Sequence, residues 1–191
     1  MIKMSILPPR TSPWQLGNIP GPQMALSSDS APKIFAAMVK KAKNPLFIVG
    51  LKILETELEN KKLIDYVIDI AKEGNIPVVA TAHTLKSFLD KNYPVTSMSL
   101  IDIVNRLQDS TFTVTSEKKA PHDLVLFLGI TYYLASQGLS TLKHFAPHLK
   151  TLTLCKWYHP NAAWSFPNMD EKEWKKMLEE FIQALAQSNG R

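Results

Sequence analysis

The sequence predicts an α/β fold, a doubly wound and mostly parallel sheet flanked by helices, of the Rossmann-like (dinucleotide-binding-like) kind. Short continuous runs of apolar residues recur along the chain, which is typical of strands covered on both faces. Between these runs lie segments whose apolar residues have helical spacing. Strands that alternate with helices form a parallel sheet. We expect residues 31–191 to form this single domain and residues 1–30 to form an extended arm.

The proposed arm is rich in proline, which does not fit a regular helix or a central strand. The front of the chain is also basic. The formal net charge is +5, and residues 1–43 hold six basic residues against one acidic residue, so the remainder is balanced. A one-signed segment favours association with an acidic surface. Because it has few aromatic residues and no recognised motif, nucleic acid is not the expected partner. The prolines of the arm are Pro8, Pro9, Pro13, Pro20 and Pro22.

The first predicted helix begins at Ser30, and Pro32 suits its first turn. Its apolar face carries Ile34, Phe35, Met38, Val39 and Ala42. Its opposite face carries Lys33, Lys40, Lys41 and Lys43, which we expect to contact a partner. The apolar run at residues 46–50 predicts the first strand of the sheet.

The next elements continue the alternation of helices and strands. Thr56 and Glu59 have the spacing of a capping box, so a helix is expected after them, and Gly74 is expected to stop it. The run at residues 76–80 predicts a second strand, and residues 83–89 predict a helix directly after it.

The second half of the chain repeats the pattern. The predicted elements are a helix over residues 99–108, a short edge strand over 111–115, a strand over 123–129, a helix over 135–145 and a strand over 151–155. Asn168 and Glu171 make a second capping box before the last helix. Its apolar stripe comprises Trp174, Met177, Leu178, Phe181, Ile182 and Leu185.

Composition excludes several classes of function. The single cysteine, Cys155, rules out an internal disulfide and any iron–sulfur or cysteine-rich zinc site built by this chain alone. His144 and His148 have helical ligand spacing, but Pro147 lies between them, so no metal site is predicted. No apolar run approaches the roughly 20 residues that span a membrane, and no signal peptide is visible. A cytoplasmic location is therefore expected.

Four segments of the chain resemble one known family. They are NPLFIVG, EGNIPVVATAHTLKSFLDK, DLVLFLGITYYLASQGLSTLKHF and KTLTLCKWYHPNAAWSFPN. In this order they are similar to the epsilon subunit of the archaeal acetyl-CoA decarbonylase/synthase (carbon monoxide dehydrogenase) complex, over about residues 25–187. PLFIVG and DLVLFLG also resemble the central domain of thiamine-diphosphate enzymes, which binds FAD or ADP in some members.

The resemblance implies a setting and carries over no catalytic residue. Members of the family accompany a large nickel–iron–sulfur (alpha) subunit in an alpha-two, epsilon-two component that interconverts carbon monoxide and carbon dioxide. The metal clusters belong to that large subunit. Two hypotheses follow: a non-catalytic accessory subunit that stabilises the component, or an FAD- or nucleotide-binding electron-transfer module.

Each hypothesis has its own candidate residues. A nucleotide would bind where strands end in a doubly wound sheet, although each loop there has one glycine and lacks the G-x-G-x-x-G and Walker patterns. The predicted cofactor contacts are Gly50, Leu51, Thr81, His83, Thr84, Gly129 and Thr131. The predicted partner contacts, besides the four lysines, are Trp157, Tyr158, His159 and Trp164.

Overall fold

A computed structural model describes residues 30–114 and 120–187 of the chain. The elements, in chain order, are α1 (Ala31–Lys41), β1 (Pro45–Val49), α2 (Lys52–Glu55), β2 (Glu57–Leu58), β3 (Lys61–Lys62), α3 (Leu63–Gly74), β4 (Val78–Ala80), α4 (Ala82–Asp90), β5 (Thr96–Ser97), α5 (Leu100–Arg106), β6 (Leu124–Leu128), α6 (Tyr132–Phe145), β7 (Lys150–Thr153), β8 (Trp164–Ser165) and α7 (Glu171–Ala186). The proposed proline-rich arm, except Ser30, lies outside the described residues.

Six of these strands form one sheet in the order β5-β4-β1-β6-β7-β8, and each neighbouring pair is parallel. Strands β2 and β3 form a separate antiparallel pair. The order grows outward in both directions from β1 and β6, which is the doubly wound arrangement. The predicted α/β fold is therefore confirmed.

Helices cover both faces of this sheet because successive strand side chains point to opposite faces. Phe47 and Val49 of β1 pack in a core with α1, α3 and α7. Leu46 and Ile48 of the same strand pack in a second core with α5 and α6. All five residues of β1 are buried, as are all five of β6, which explains their continuous apolar sequence.

Helices α1 and α7 pack side by side on the first face, and the stripe predicted for α7 is buried there. The ring of Phe35 stacks on that of Phe166 at 4.9 Å between centroids.

All strands of a parallel sheet start at the same end, so the loops after the strands gather at the other end of the sheet. We call this the carboxyl end and the opposite one the amino end.

The capping box predicted at Thr56 and Glu59 is wrong. Thr56 closes the short helix α2, and Glu59 has a left-handed backbone (φ 55°) beside the β2–β3 turn. Helix α3 begins only at Leu63. The hairpin buries Leu58, which a helix started at Thr56 would place differently. Tertiary packing overrides the local spacing here.

The second predicted capping box is also wrong. Asn168 is buried, and its Oδ1 accepts the Tyr158 N–H at 3.0 Å. Asp170 caps α7 instead, since its Oδ1 accepts the Glu173 N–H at 2.8 Å. The Asn168 side chain therefore bonds a backbone N–H ten residues earlier in the chain, and not the N-terminus of the helix as the sequence pattern predicted.

Three smaller boundaries differ from the prediction. The left-handed cap of α3 is Asn75 (φ 48°), while Gly74 is its last helical residue. Residues 111–114 form no strand, because Asp109 Oδ1 accepts both the N–H and the hydroxyl of Thr111 at 2.8 Å and holds a turn. Helix α6 starts at Tyr132, three residues before the predicted start.

Candidate functional site

A cleft of about 470 Å³ opens at the carboxyl end of the sheet. The loops after β1, β6 and β7 surround it, and the winding of the sheet reverses between β1 and β6. In doubly wound sheets this is the position where ligands bind. Its lining includes Gly129, Tyr132, Cys155, Trp157, His159 and Trp174.

Two glycines let the loops beside the cleft touch each other. Gly129 has φ 68°, and a Cβ there would lie 2.3 Å from Ile53 Cγ2. A Cβ on Gly50 would lie 2.7 Å from the Gly129 carbonyl oxygen. That oxygen accepts the Lys52 N–H at 2.8 Å, and the Gly50 N–H reaches the Leu128 oxygen at 3.1 Å. Glycine permits a close backbone approach, and here the two loops approach each other, so this space is filled by the protein and not left for a ligand.

Cys155 and Trp174 both line the cleft. The Trp174 indole N–H donates to the Leu154 carbonyl oxygen at 2.7 Å, which fixes α7 against the end of β7. Burial raises the pKa of the Cys155 thiol to about 12, although a hydrogen bond with the Gly129 backbone opposes the shift. At neutral pH the thiol is protonated and therefore a poor nucleophile.

His159 is the most unusual polar group of the cleft. Its side chain is 1% exposed, and its ring stacks on the Tyr132 ring at 4.4 Å and 24°. The Tyr132 hydroxyl donates to the Tyr158 carbonyl oxygen at 3.0 Å, which holds that ring in place. The Nδ1 atom of His159 is buried and has no hydrogen-bond partner among the described residues. Burial lowers the pKa of His159 to about 4, so the imidazole is neutral at pH 7.

Lysine and glutamate side chains line the cleft, and four of these five charged groups form two ion pairs. Lys52 Nζ lies 2.6 Å from Glu55, and Lys156 Nζ lies 2.9 Å from Glu171. Lys156 also sits over the Trp157 ring, 5.4 Å from its centroid. Such exposed pairs contribute little to stability. Glu57 also lines the cleft, so two lysines face three glutamates there, and this net charge of −1 does not favour an anionic ligand.

The predicted cofactor residues form two groups rather than one site. Gly129 and Thr131 line the cleft, and Gly50 and Leu51 belong to the adjoining loop. The other three, Thr81, His83 and Thr84, follow β4, which lies beside β1 on the side away from β6, and they do not line the cleft. There Thr84 is buried and its hydroxyl donates to the Thr81 carbonyl oxygen at 2.7 Å, whereas His83 is exposed.

The predicted partner residues of the aromatic loop differ in exposure. Trp157 is 39% exposed and Trp164 is half-buried, but Tyr158 and His159 are buried by the chain itself. The four lysines of the first helix and its end, Lys33, Lys40, Lys41 and Lys43, are all exposed. The Lys40 ammonium donates to the Ala184 carbonyl oxygen, so this end of α1 is tied to α7.

Sequence reasoning missed the exposed residues at the start of α6. Tyr133 is 63% exposed and Leu134 is 38% exposed, next to Tyr132 at 44%. A signal was present, since three consecutive bulky residues in one helical turn point in different directions and cannot all face one core. The prediction began this helix at Ala135 and so left them in a loop.

The amino end of the sheet holds a network of polar groups that the sequence did not reveal. Asp123 accepts the N–H groups of Lys43 and Asn44 at 2.8 and 2.9 Å. His122 Nε2 accepts the Val114 N–H at 3.1 Å, so its protonated Nδ1 donates to the Asn44 carbonyl oxygen at 3.0 Å. This network joins the segment before β1 to the segment before β6.

Two further findings concern the described ranges, 30–114 and 120–187. No group of three or more His, Cys, Asp or Glu side chains is arranged there to hold a metal ion. No helix among these residues is long and apolar enough to cross a membrane.

Characterised proteins are similar to this chain along almost its whole length. A family model described as CO dehydrogenase beta subunit/acetyl-CoA synthase epsilon subunit matches residues 3–182. The acetyl-CoA decarbonylase/synthase complex subunit epsilon of Methanothermobacter thermautotrophicus is 40% identical over 176 residues, covering 92% of this chain and 97% of that protein. The subunit epsilon of Methanothrix soehngenii is 33% identical over 177 residues, with 91% and 90% covered. Subunit epsilon 1 of Archaeoglobus fulgidus is 35% identical over 158 residues, with 81% and 82% covered.

Proposed function

This chain belongs to the CO dehydrogenase beta subunit/acetyl-CoA synthase epsilon subunit family, and we propose that it is a non-catalytic accessory subunit of an acetyl-CoA decarbonylase/synthase complex. The resemblance to the archaeal epsilon subunit is thereby confirmed. Its relatives are named as subunits of a complex, so partner subunits are expected for this chain as well. The accessory and stabilising role is our proposal.

The state of the chemical groups in the cleft is the observation that carries the non-catalytic role. A nucleophile needs a thiolate, but Cys155 is held as a thiol by its burial. A general base needs an accessible nitrogen with a pKa near the working pH. His159 is instead buried beneath Tyr132, and its pKa is lowered to about 4. Both groups are better suited to packing than to catalysis.

The proposed partner is the large nickel–iron–sulfur alpha subunit of the carbon monoxide dehydrogenase component, in an alpha-two, epsilon-two assembly. The single cysteine of this chain agrees with clusters held by that partner alone. A bound subunit stabilises its partner because it binds the folded form and not the unfolded one. In this role the chain protects the large subunit without changing its chemistry.

Reconstitution with the large subunit tests the proposal. We expect the two purified proteins to elute together in size-exclusion chromatography. We also expect this chain to lengthen the thermal half-life of carbon monoxide oxidation several-fold, while the initial rate at moderate temperature stays the same. Bovine serum albumin at equal concentration is the control for nonspecific protection. Separate elution of the two proteins at micromolar concentration would contradict the proposal.

The second candidate function, an FAD- or nucleotide-binding electron-transfer module, is favoured by the position of the cleft at the reversal of the sheet. Its test is a titration of the purified chain with FAD, followed by flavin fluorescence. Thr131 lines the cleft and His83 does not. If the cofactor binds in the cleft, Thr131→Ala weakens its binding by about 1 kcal/mol, and His83→Ala leaves its binding unchanged. The opposite pattern would place the cofactor on the loop after β4, and no binding would remove this candidate.

A further inference from the structure

Exposed apolar side chains are concentrated at the carboxyl end of the sheet. Among the described residues, six of the eight large apolar side chains that are exposed follow the end of a strand: Leu51, Ile101, Tyr132, Tyr133, Leu134 and Trp157. The other two, Leu89 and Phe145, lie at the ends of α4 and α6, toward the amino end. Single exposed apolar residues are normal on a protein surface, whereas several at one end of a sheet point to an interaction site.

The composition of this surface is that of a protein interface. Tyrosine and tryptophan are enriched among the residues that dominate binding energy, and three of the six are of these types. Tyr133 and Leu134 are exposed at the start of α6 and are not among the residues that line the cleft. A small molecule held in the cleft would leave them in water, whereas a protein surface would cover both.

The charges around the cleft indicate the chemistry of the occupant. Lys52 and Lys156 are each paired with a glutamate of the same chain, so they add little attraction for an anion. Glu57 lines the cleft as well and adds a negative charge. An uncharged segment fits these charges better than a phosphate or a carboxylate.

We propose that the carboxyl end of the sheet is the docking surface for the large subunit, and that an uncharged, apolar segment of that subunit enters the cleft beside Tyr132 and Trp157. This inference rests on the proposed function, because it names the surface through which the subunit acts. The six exposed side chains supply the apolar contact. The ion pairs that line the cleft form its polar rim.

Single substitutions measured against matched controls test this surface. Tyr133→Ala and Trp157→Ala each remove an exposed aromatic ring at the carboxyl end. Phe145→Ala and Leu89→Ala remove side chains at the other end that are 65% and 63% exposed. All four full-length variants are compared with the wild type for binding to the immobilised large subunit by surface plasmon resonance. Urea unfolding of each variant checks that the fold is intact.

We expect each carboxyl-end variant to dissociate at least about tenfold faster than the wild type, and each control to stay within about twofold. Hydrogen exchange of the complex should show protection in residues 130–134 and 156–159, with none in residues 86–90. Faster dissociation of Leu89→Ala or Phe145→Ala, with the other two unchanged, would overturn the inference and leave the proposed function standing. A wild type that does not bind would instead contradict the proposed function.

Discussion

Two buried histidines show how differently the two ends of the sheet use their polar groups. At the amino end, His122 is 2% exposed and both ring nitrogens are hydrogen-bonded to backbone groups. At the carboxyl end, His159 is 1% exposed, and its Nδ1 has no partner among the described residues. Buried polar groups normally have partners, since leaving one without a partner costs about 1–3 kcal/mol.

The two imidazoles therefore differ in how they are held, since the backbone of the chain bonds both nitrogens of His122 and leaves Nδ1 of His159 without a partner among the described residues. At the amino end, the Asp123 carboxylate and both ring nitrogens of His122 are hydrogen-bonded within the chain, although Asn44 Oδ1 is buried without a partner among the described residues. The carboxyl end combines a cleft, exposed aromatic rings and an incompletely bonded imidazole. Four predictions test this difference between the two ends.

The largest effect is expected for Gly129→Ala, in the floor of the carboxyl end. Alanine at φ 68° costs about 1–2 kcal/mol, and its Cβ would overlap Ile53 Cγ2 at 2.3 Å, which adds about 1–3 kcal/mol of overpacking. We expect a loss of about 4 kcal/mol in the free energy of unfolding. Urea denaturation followed by circular dichroism measures it.

A double-mutant cycle with Ile53→Ala serves as the control for that clash. If overlap with Ile53 is responsible, the double variant loses less stability than the two single variants together. Strict additivity would show that overlap with the Ile53 side chain does not cause the loss.

The second prediction concerns pH and His159. Its folded pKa is about 4, below the unfolded value of 6.5, so only the unfolded chain gains a proton between these values. Its contribution to stability is therefore complete above about pH 6.5 and falls by up to about 3 kcal/mol as pH drops to about 4. Tyr132 and Cys155, which line the same cleft, have raised pKa values and stay protonated throughout this range.

Urea unfolding of the wild type and of His159→Gln across this pH range tests the assignment. The difference between their stabilities should change steadily from pH 6.5 to 4 and remain constant above pH 7. His122→Gln is the comparison from the other end, where a bonded imidazole is removed. Parallel stability curves for the wild type and His159→Gln would contradict the buried, neutral state of this histidine.

A smaller loss is expected for Asp123→Ala at the amino end. The carboxylate accepts two backbone N–H groups, from Lys43 and Asn44, and water can replace part of each bond because the side chain is only half-buried. We expect about 2 kcal/mol less stability, with binding to the large subunit unchanged at temperatures where the variant is folded. Asp123→Asn keeps one acceptor oxygen and should lose about half as much. Weakened binding by the folded variant would give the amino end a role beyond framework.

The smallest effect is expected for replacing Lys33, Lys40, Lys41 and Lys43 together by glutamine. These exposed lysines would act at long range, so the association rate should fall a few-fold at low salt, and its dependence on salt should flatten. The dissociation rate should stay the same, in contrast to the carboxyl-end variants. Stopped-flow association at two ionic strengths measures this, and an unchanged rate at low salt would remove the lysines from the docking mechanism.

The fold class could be predicted from the pattern of the sequence, and the family from the resemblance of four of its segments. The runs LFIVG and DLVLFLG predicted the two central strands, because a strand buried on both faces needs apolar side chains at every position. The stripe of α7 likewise followed from helical spacing. These features depend on each residue's near neighbours in the chain, so they are visible without coordinates.

Tertiary structure alone decided the caps and the cleft. The spacing of Asn168 and Glu171 predicted a helix cap, yet the Asn168 side chain accepts the N–H of Tyr158, which the fold brings beside it. His159 was predicted to face a partner, but Tyr132 from another crossover covers its ring. Hydrogen bonds and burial of this kind depend on how distant elements dock, and local spacing carries no information about that docking.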